Sequence, residues 1–141
     1  MSGHFSFLQF YLMAVCGMSL AIGCSAVPDD APPKAKTAGK VTFQGEPIQN
    51  GMIRFIPDVG APVQTVIVQG EYLIDYKGGV PLGKARVEID GFRETGEMAS
   101  VGPDKTVPES VQFLPDQYNK KSTLVVEITG DILNRHDFRL D

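Results

Sequence analysis

A hydrophobic alternation of period two constrains this chain more than any other feature. It runs through residues 38–141 in short stretches separated by Gly, Pro, Asn and Asp. Successive side chains of a strand point to opposite faces, so this period marks strands with one buried face. "GKVTFQG" sets Val41 and Phe43 against Lys40 and Thr42, and "GMIRFIP" sets Ile53 and Phe55 against Arg54. "PVQTVIVQGEYLID" reads as two strands turned at Gln69-Gly70, with Tyr72 and Ile74 inward and Glu71, Leu73 and Asp75 outward. "VPLGKARVEIDG" buries Ala85, Val87 and Ile89 and exposes Lys84, Arg86 and Glu88. "STLVVEITG" turns Leu124, Val126 and Ile128 inward, and "NRHDFRLD" closes on Phe138 and Leu140. Asn50-Gly51 is a strong turn signal. Together these runs predict an all-β protein, an antiparallel β-sandwich of about seven strands.

Ahead of the alternating region the pattern changes. Residues 5–22, "FSFLQFYLMAVCGMSLAI", carry no charge. No Lys or Arg precedes them, so the basic start of a secretory signal is missing and His4 is the only cationic candidate. The run ends in Leu20-Ala21-Ile22-Gly23-Cys24. A small residue before a cysteine at the end of an apolar run resembles the lipobox of bacterial lipoproteins, with Ala21 standing where leucine is usual. The resemblance implies cleavage before Cys24 and a diacylglyceryl thioether on its sulfur. Cys16 follows the bulky Val15 and fits less well. Three readings compete with lipidation: cleavage after Ala26, an uncleaved membrane helix, and a buried core helix.

Domain limits follow as residues 1–23 for the signal, 24–37 for the lipidated cysteine and a Pro-rich flexible linker, and 38–141 for the sandwich. The linker "SAVPDDAPPKAKTA" holds Pro28, Pro32 and Pro33 among small and charged residues. Extended at about 3.1 Å per residue, it would reach roughly 40 Å from a membrane. Neither cysteine lies beyond residue 24. An exported domain of this kind must therefore hold together by its apolar core alone, without disulfides. The net charge of -4 argues against general nucleic-acid binding and against adsorption to anionic headgroups.

"GKVTFQGEPIQNGMIRFIP", "GEYLID…GGVPLGKARVEI" and "PDQYNKKSTLVVEITG…HDFRL" resemble small bacterial lipoproteins with a carboxypeptidase-regulatory-like, transthyretin-like domain. The most specific part is Gly39, Val41, Phe43, Gly45 and Pro47, then Asn50-Gly51 and Phe55-Ile56-Pro57. Leu82, in Pro81-Leu82-Gly83, stands where the family has proline, and Ala85 where an aromatic is frequent. The resemblance implies a Greek-key sandwich with no catalytic activity of its own. It also implies export, with the domain facing periplasm or surface on a lipid anchor in the cell or outer membrane. Transthyretin-related hydrolases carry several histidines and a terminal Y-R-G-S; this chain ends "HDFRLD", so their activity is not implied.

Chemistry-bearing residues are few. His136 is predicted as an outward residue of the last strand, and no second histidine or cysteine lies in residues 38–141 to build a zinc site. No cofactor is expected. Lys40, a candidate for an internal isopeptide bond, shares the outer phase with Thr42, whereas such a lysine must be buried. Tyr72 is expected in the core, and Tyr118 is expected to pack a corner and bond the backbone. Residues 91–110, "GFRETGEMASVGPDKTVPES", are predicted as a long polar loop, either solvated or functional. The expectation for function is a monomeric, non-enzymatic, membrane-anchored envelope protein with a structural or protein-interaction domain, its partner an envelope protein or glycan. The alternative is a carbohydrate- or peptide-binding module using the 91–110 loop or an exposed strand edge.

Overall fold

The computed structural model describes residues 31–141; Cys24, the apolar run before it and linker residues 25–30 lie outside the described residues. Each alternating run forms a strand. In chain order these are β1 (Lys34–Phe43), β2 (Glu46–Pro47), β3 (Asn50–Pro57), β4 (Val63–Val68), β5 (Glu71–Ile74), β6 (Val80–Pro81), β7 (Gly83–Gly102), β8 (Lys105–Gln112), β9 (Leu124–Ile128), β10 (Leu133–Arg135) and β11 (Phe138–Leu140). Two single 3-10 turns, Tyr76–Gly78 and Asp116–Tyr118, are the helical elements among the described residues.

Seven strands follow one another in the order β10-β1-β5-β4-β3-β7-β8, while β2, β6 and β11 attach to β1, and β9 to β7. Strands β3, β4 and β5 form consecutive antiparallel hairpins, and β7 returns to lie beside β3. That order is a Greek key. The sheet cannot stay open, because β9 lies on β7, β10 lies on β1, and residues 129–132 alone join them. Five residue steps span at most about 18 Å. The two margins of the sheet are therefore drawn together around one core. Asn134, 6% exposed, locks this link by accepting the Thr129 N–H at 2.9 Å and donating to the Thr129 carbonyl at 3.0 Å. Not every pairing is antiparallel: β10 and β11 both run parallel to β1. The crossing imposes this, since the chain arrives at β1 from the opposite margin of the sheet rather than by a hairpin.

The core is the inward phase of these strands. Val41, Ile53, Phe55, Ala85, Val87 and Ile89 are fully buried, and Tyr72, Ile74, Ile128, Phe138 and Leu140 nearly so. Phe55, Tyr72 and Phe138 form a ring cluster with centroids 5.9 to 6.5 Å apart. The outward phase carries Arg54, which meets Glu88 at 3.3 Å, and Arg86, which meets it at 2.6 Å.

Three sequence expectations change. Asn50-Gly51 does not turn; it opens β3, pairing with Phe92 and Gly91. Gly51 is needed there because a Cβ would stand 2.4 Å from the Asp90 carbonyl oxygen. The turn falls earlier, at Gln44-Gly45, where both residues have positive φ as they do at Gln69-Gly70. That pair of left-handed residues suits a two-residue hairpin. Residues 34–37, assigned to the linker 24–37, are strand. Strand β1 begins at Lys34, and Ala35 and Thr37 are buried, because β5, β6 and β10 offer them ladder partners. Finally, residues 91–110 are not a loop. Strand β7 continues to Gly102, turns at Pro103-Asp104 and returns as β8, making a two-stranded arm that extends past β3.

Candidate binding groove

The strands give the molecule two unlike ends. Strand β1 starts at one and finishes at the other in Phe43, where the Gln44-Gly45 turn, the start of β3 and the departure of the arm from β3 converge. Between them lies a groove of about 630 Å3, lined by Phe43, Gln44, Glu46, Pro47, Ile48, Gln49, Asn50, Phe92, Arg93, Glu94 and Phe113. A smaller hollow of about 250 Å3 shares Asn50, Phe92 and Glu94 and extends along the arm to Pro108 and Ser110.

The local sequence explains the floor. Phe43 keeps the inward phase of β1 but sits where the sandwich ends, so its ring is only partly covered. Phe113 follows β8, donates its N–H to the Gly91 carbonyl at 3.0 Å and stacks edge-on to Phe43 at 5.8 Å. Gly91 makes room for it, since a Cβ there would lie 2.9 Å from the Phe113 ring. Tyr118 packs on the other side of Phe43 at 6.4 Å. Its hydroxyl donates to the Asp141 carbonyl at 2.5 Å and accepts the Asp141 N–H at 3.0 Å, which is the corner role expected of it. The Arg93 guanidinium covers the Phe113 ring at 5.6 Å. The Glu46 and Glu94 side chains supply negative charge, and Gln44, Gln49 and Asn50 supply amides. Such a site can hold an apolar group against the rings, and hydrogen-bond or pair with a polar or cationic group beside it.

The arm is poorly suited to adding a further strand along its edges. Among the described residues, β7 beyond Phe92 pairs only with β8, and β8 pairs only with β7. Yet Pro108 interrupts the donors of β8, and β7 bulges between Glu94 and Met98 around Gly96, which has positive φ. A proline and a charged bulge are the means by which edge strands resist edge-to-edge pairing. At this end it is the groove, rather than a free strand edge, that offers side chains for contact.

His136 departs from its expected position. It precedes β11 rather than standing on its outward phase, and its Nε2 is buried without a hydrogen-bond partner among the described residues. Its carbonyl accepts the Tyr72 hydroxyl at 2.8 Å, and its N–H donates to the Ala38 carbonyl at 3.0 Å. Burial lowers the imidazole pKa from 6.5, against the weaker opposing influence of the Asp137 carboxylate and the Glu127 backbone. Burial, helped by Asp137, also pushes the Tyr72 phenol far up. Lys40 is exposed and meets Glu71 at 3.4 Å. Among the described residues no group of three or more His, Cys, Asp and Glu side chains is placed to hold a metal.

Phe92 and Arg93 fall within the 91–110 stretch that the sequence offered as an alternative binding segment, whereas Phe43 and Phe113 were not singled out as a site. The available signal was the pair of phenylalanines, Phe92 and Phe113, that bracket the polar stretch. Comparison with family models, curated proteins and solved structures finds no match for this chain.

Proposed function

We propose that this chain is an exported, non-enzymatic envelope lipoprotein, anchored through Cys24, whose transthyretin-like sandwich is a protein-interaction module. It carries the groove at the end remote from its anchor. The observation that supports the reading is the polarity of β1. Its first residue, Lys34, is the end nearest the anchor in sequence, and its last, Phe43, lines the groove. The partner suited to the groove is an extended polypeptide with an apolar side chain for Phe43, Phe92 and Phe113. A basic group beside that side chain would face Glu46 and Glu94. A photo-crosslinking residue at Phe92 in the anchored, full-length protein tests this in its own envelope. A discrete adduct is expected from position 92, none from Val66 on the outer face of the sandwich, and loss of the adduct with Glu94→Lys. Equal labelling from both positions, or an adduct indifferent to Glu94→Lys, would refute the reading.

A glycan is the second reading, favoured by the amides of Gln44, Gln49 and Asn50 beside the rings. Titration with soluble peptidoglycan fragments separates the two. Saturable heat with fragments, abolished by Asn50→Ala, would favour the glycan.

A further inference from the structure

The end of the sandwich where the chain emerges from its tether carries its most exposed apolar side chains on three loop tips. Ile132 is 92% exposed, Tyr76 73% and Val59 66%. All three tips border the first described residues. Gly60, next to Val59, lies so close to Pro32 and Pro81 that a Cβ there would be 3.0 Å from each ring. Gly78, in the turn begun by Tyr76, lies against the Lys34 side chain, and Gly79 meets the Ala35 carbonyl. Gly130, in the loop of Ile132, approaches Leu82, whose N–H donates to the Pro33 carbonyl at 2.9 Å. In the parallel register of β1 and β10, Leu133 is level with Lys36, which brings Ile132 level with Ala35.

We propose that these three tips form a membrane-docking surface, seating Val59, Tyr76 and Ile132 in the headgroup region of the bilayer that holds the anchor. The inference rests on lipidation at Cys24, proposed above. Cys24 stands seven positions before Ala31. Seven residues reach at most about 25 Å. A tether of that reach leaves this end of the domain within about 25 Å of the lipid. The side chains suit the place. Tyrosine is favoured at the membrane interface, and the Lys77 ammonium lies 5.2 Å from the Tyr76 ring, positioned to reach phosphate in the same headgroup layer. Charge does not drive the contact. Lys34, Lys36, Lys77 and Lys84 are balanced at this end by Asp58, Asp75, Glu127 and Asp131, all exposed. Docking should therefore proceed on neutral lipid and depend on the apolar tips. It would also fix the direction of the molecule, pointing the groove and the arm away from the bilayer.

The chain contains no tryptophan, so a single introduced one is an unambiguous reporter. Full-length, acylated Ile132→Trp protein would be reconstituted into phosphatidylcholine vesicles with brominated acyl chains. Val59→Trp serves as an independent reporter, and Val101→Trp, on the arm, as the remote control. For the first two, the emission should shift to the blue and be quenched. Quenching should be stronger by bromines near the glycerol than deep in the chain, as fits insertion of about 5–10 Å. Val101→Trp should emit as in water and remain unquenched. Floated protein in which both Ile132→Trp and Val59→Trp stay unquenched would overturn the docking surface while leaving the anchor intact. Quenching of Val101→Trp as well would overturn the orientation. Protein that neither floats nor carries acyl groups on Cys24 would overturn the anchoring, and this inference with it.

Discussion

At the residue scale, neighbouring positions have opposite fates. Phe55 is fully buried in the ring cluster, whereas Arg54 is 43% exposed at its side chain and shares Glu88 with Arg86. Phe55→Ala should cost about 3–5 kcal/mol, a large share of the stability of a domain this size. Arg54→Ala should cost under about 1 kcal/mol, because a half-exposed ion pair contributes little. Urea melts compare the two directly. Gly51→Ala, an apparently mild change, should cost about 1–3 kcal/mol, since β3 and β7 would have to separate around the new methyl; the same melts measure it. His136 brings a pH dependence. Its folded pKa lies below the unfolded 6.5, so the unfolded state takes up the proton first. Its contribution to stability is fully present above pH 6.5 and is lost as the pH falls through the lowered folded value. His136→Gln should flatten the part of the stability profile just below pH 6.5, as followed by denaturant unfolding from pH 8 to pH 5.

At the element scale, the decisive feature is the four-residue link between β9 and β10. It joins the strand on β7 to the strand on β1, so the sandwich closes only if the link holds. Asn134 satisfies both backbone groups of Thr129 and also accepts the Thr129 hydroxyl at 3.0 Å. Asn134→Ala leaves these groups partly unsatisfied and should cost about 1–3 kcal/mol. Hydrogen exchange by mass spectrometry should show the loss of protection concentrated in β10 and in the paired part of β1. Uniform loss across the domain would mean the link closes nothing. The arm is the opposite kind of element. Its residues from Arg93 to Gln112 are exposed or half-exposed throughout, so it contributes little to the core.

For the whole molecule, that contrast predicts two tiers of stability. An isolated two-stranded ribbon is marginal in water, whereas β3 and the first half of β7 are packed on both flanks. Amides of residues 95–110 should exchange orders of magnitude faster than those of residues 85–91 in native-state hydrogen exchange. The core should unfold in one cooperative step. Reductant should not move its midpoint, because no cysteine lies among the described residues. A shift of the midpoint with dithiothreitol would contradict this.

The sequence alone determined which phase of each alternating run is buried. Period two has only two phases, and a one-residue slip would put every Val, Ile and Phe of a strand into water. That is why Ile53, Phe55, Ala85, Val87, Ile89, Phe138 and Leu140 are where the alternation places them. The Gln69-Gly70 turn was legible for a similar reason, since its conformation is set within four residues. What crosses between distant segments was not legible. The turn chemistry of Asn50-Gly51 gives way to the approach of the Asp90 carbonyl, forty residues away in sequence. Residues 34–37 read as linker because Lys, Ala and Thr show no hydrophobic signal, and they become strand only because β5, β6 and β10 offer ladder partners. Residues 91–110 read as loop because a ribbon with both faces in water needs no alternation. The groove was hidden for a different reason. Phe43, Phe92 and Phe113 lie in three separate segments, and only closure of the sandwich brings their rings to one end.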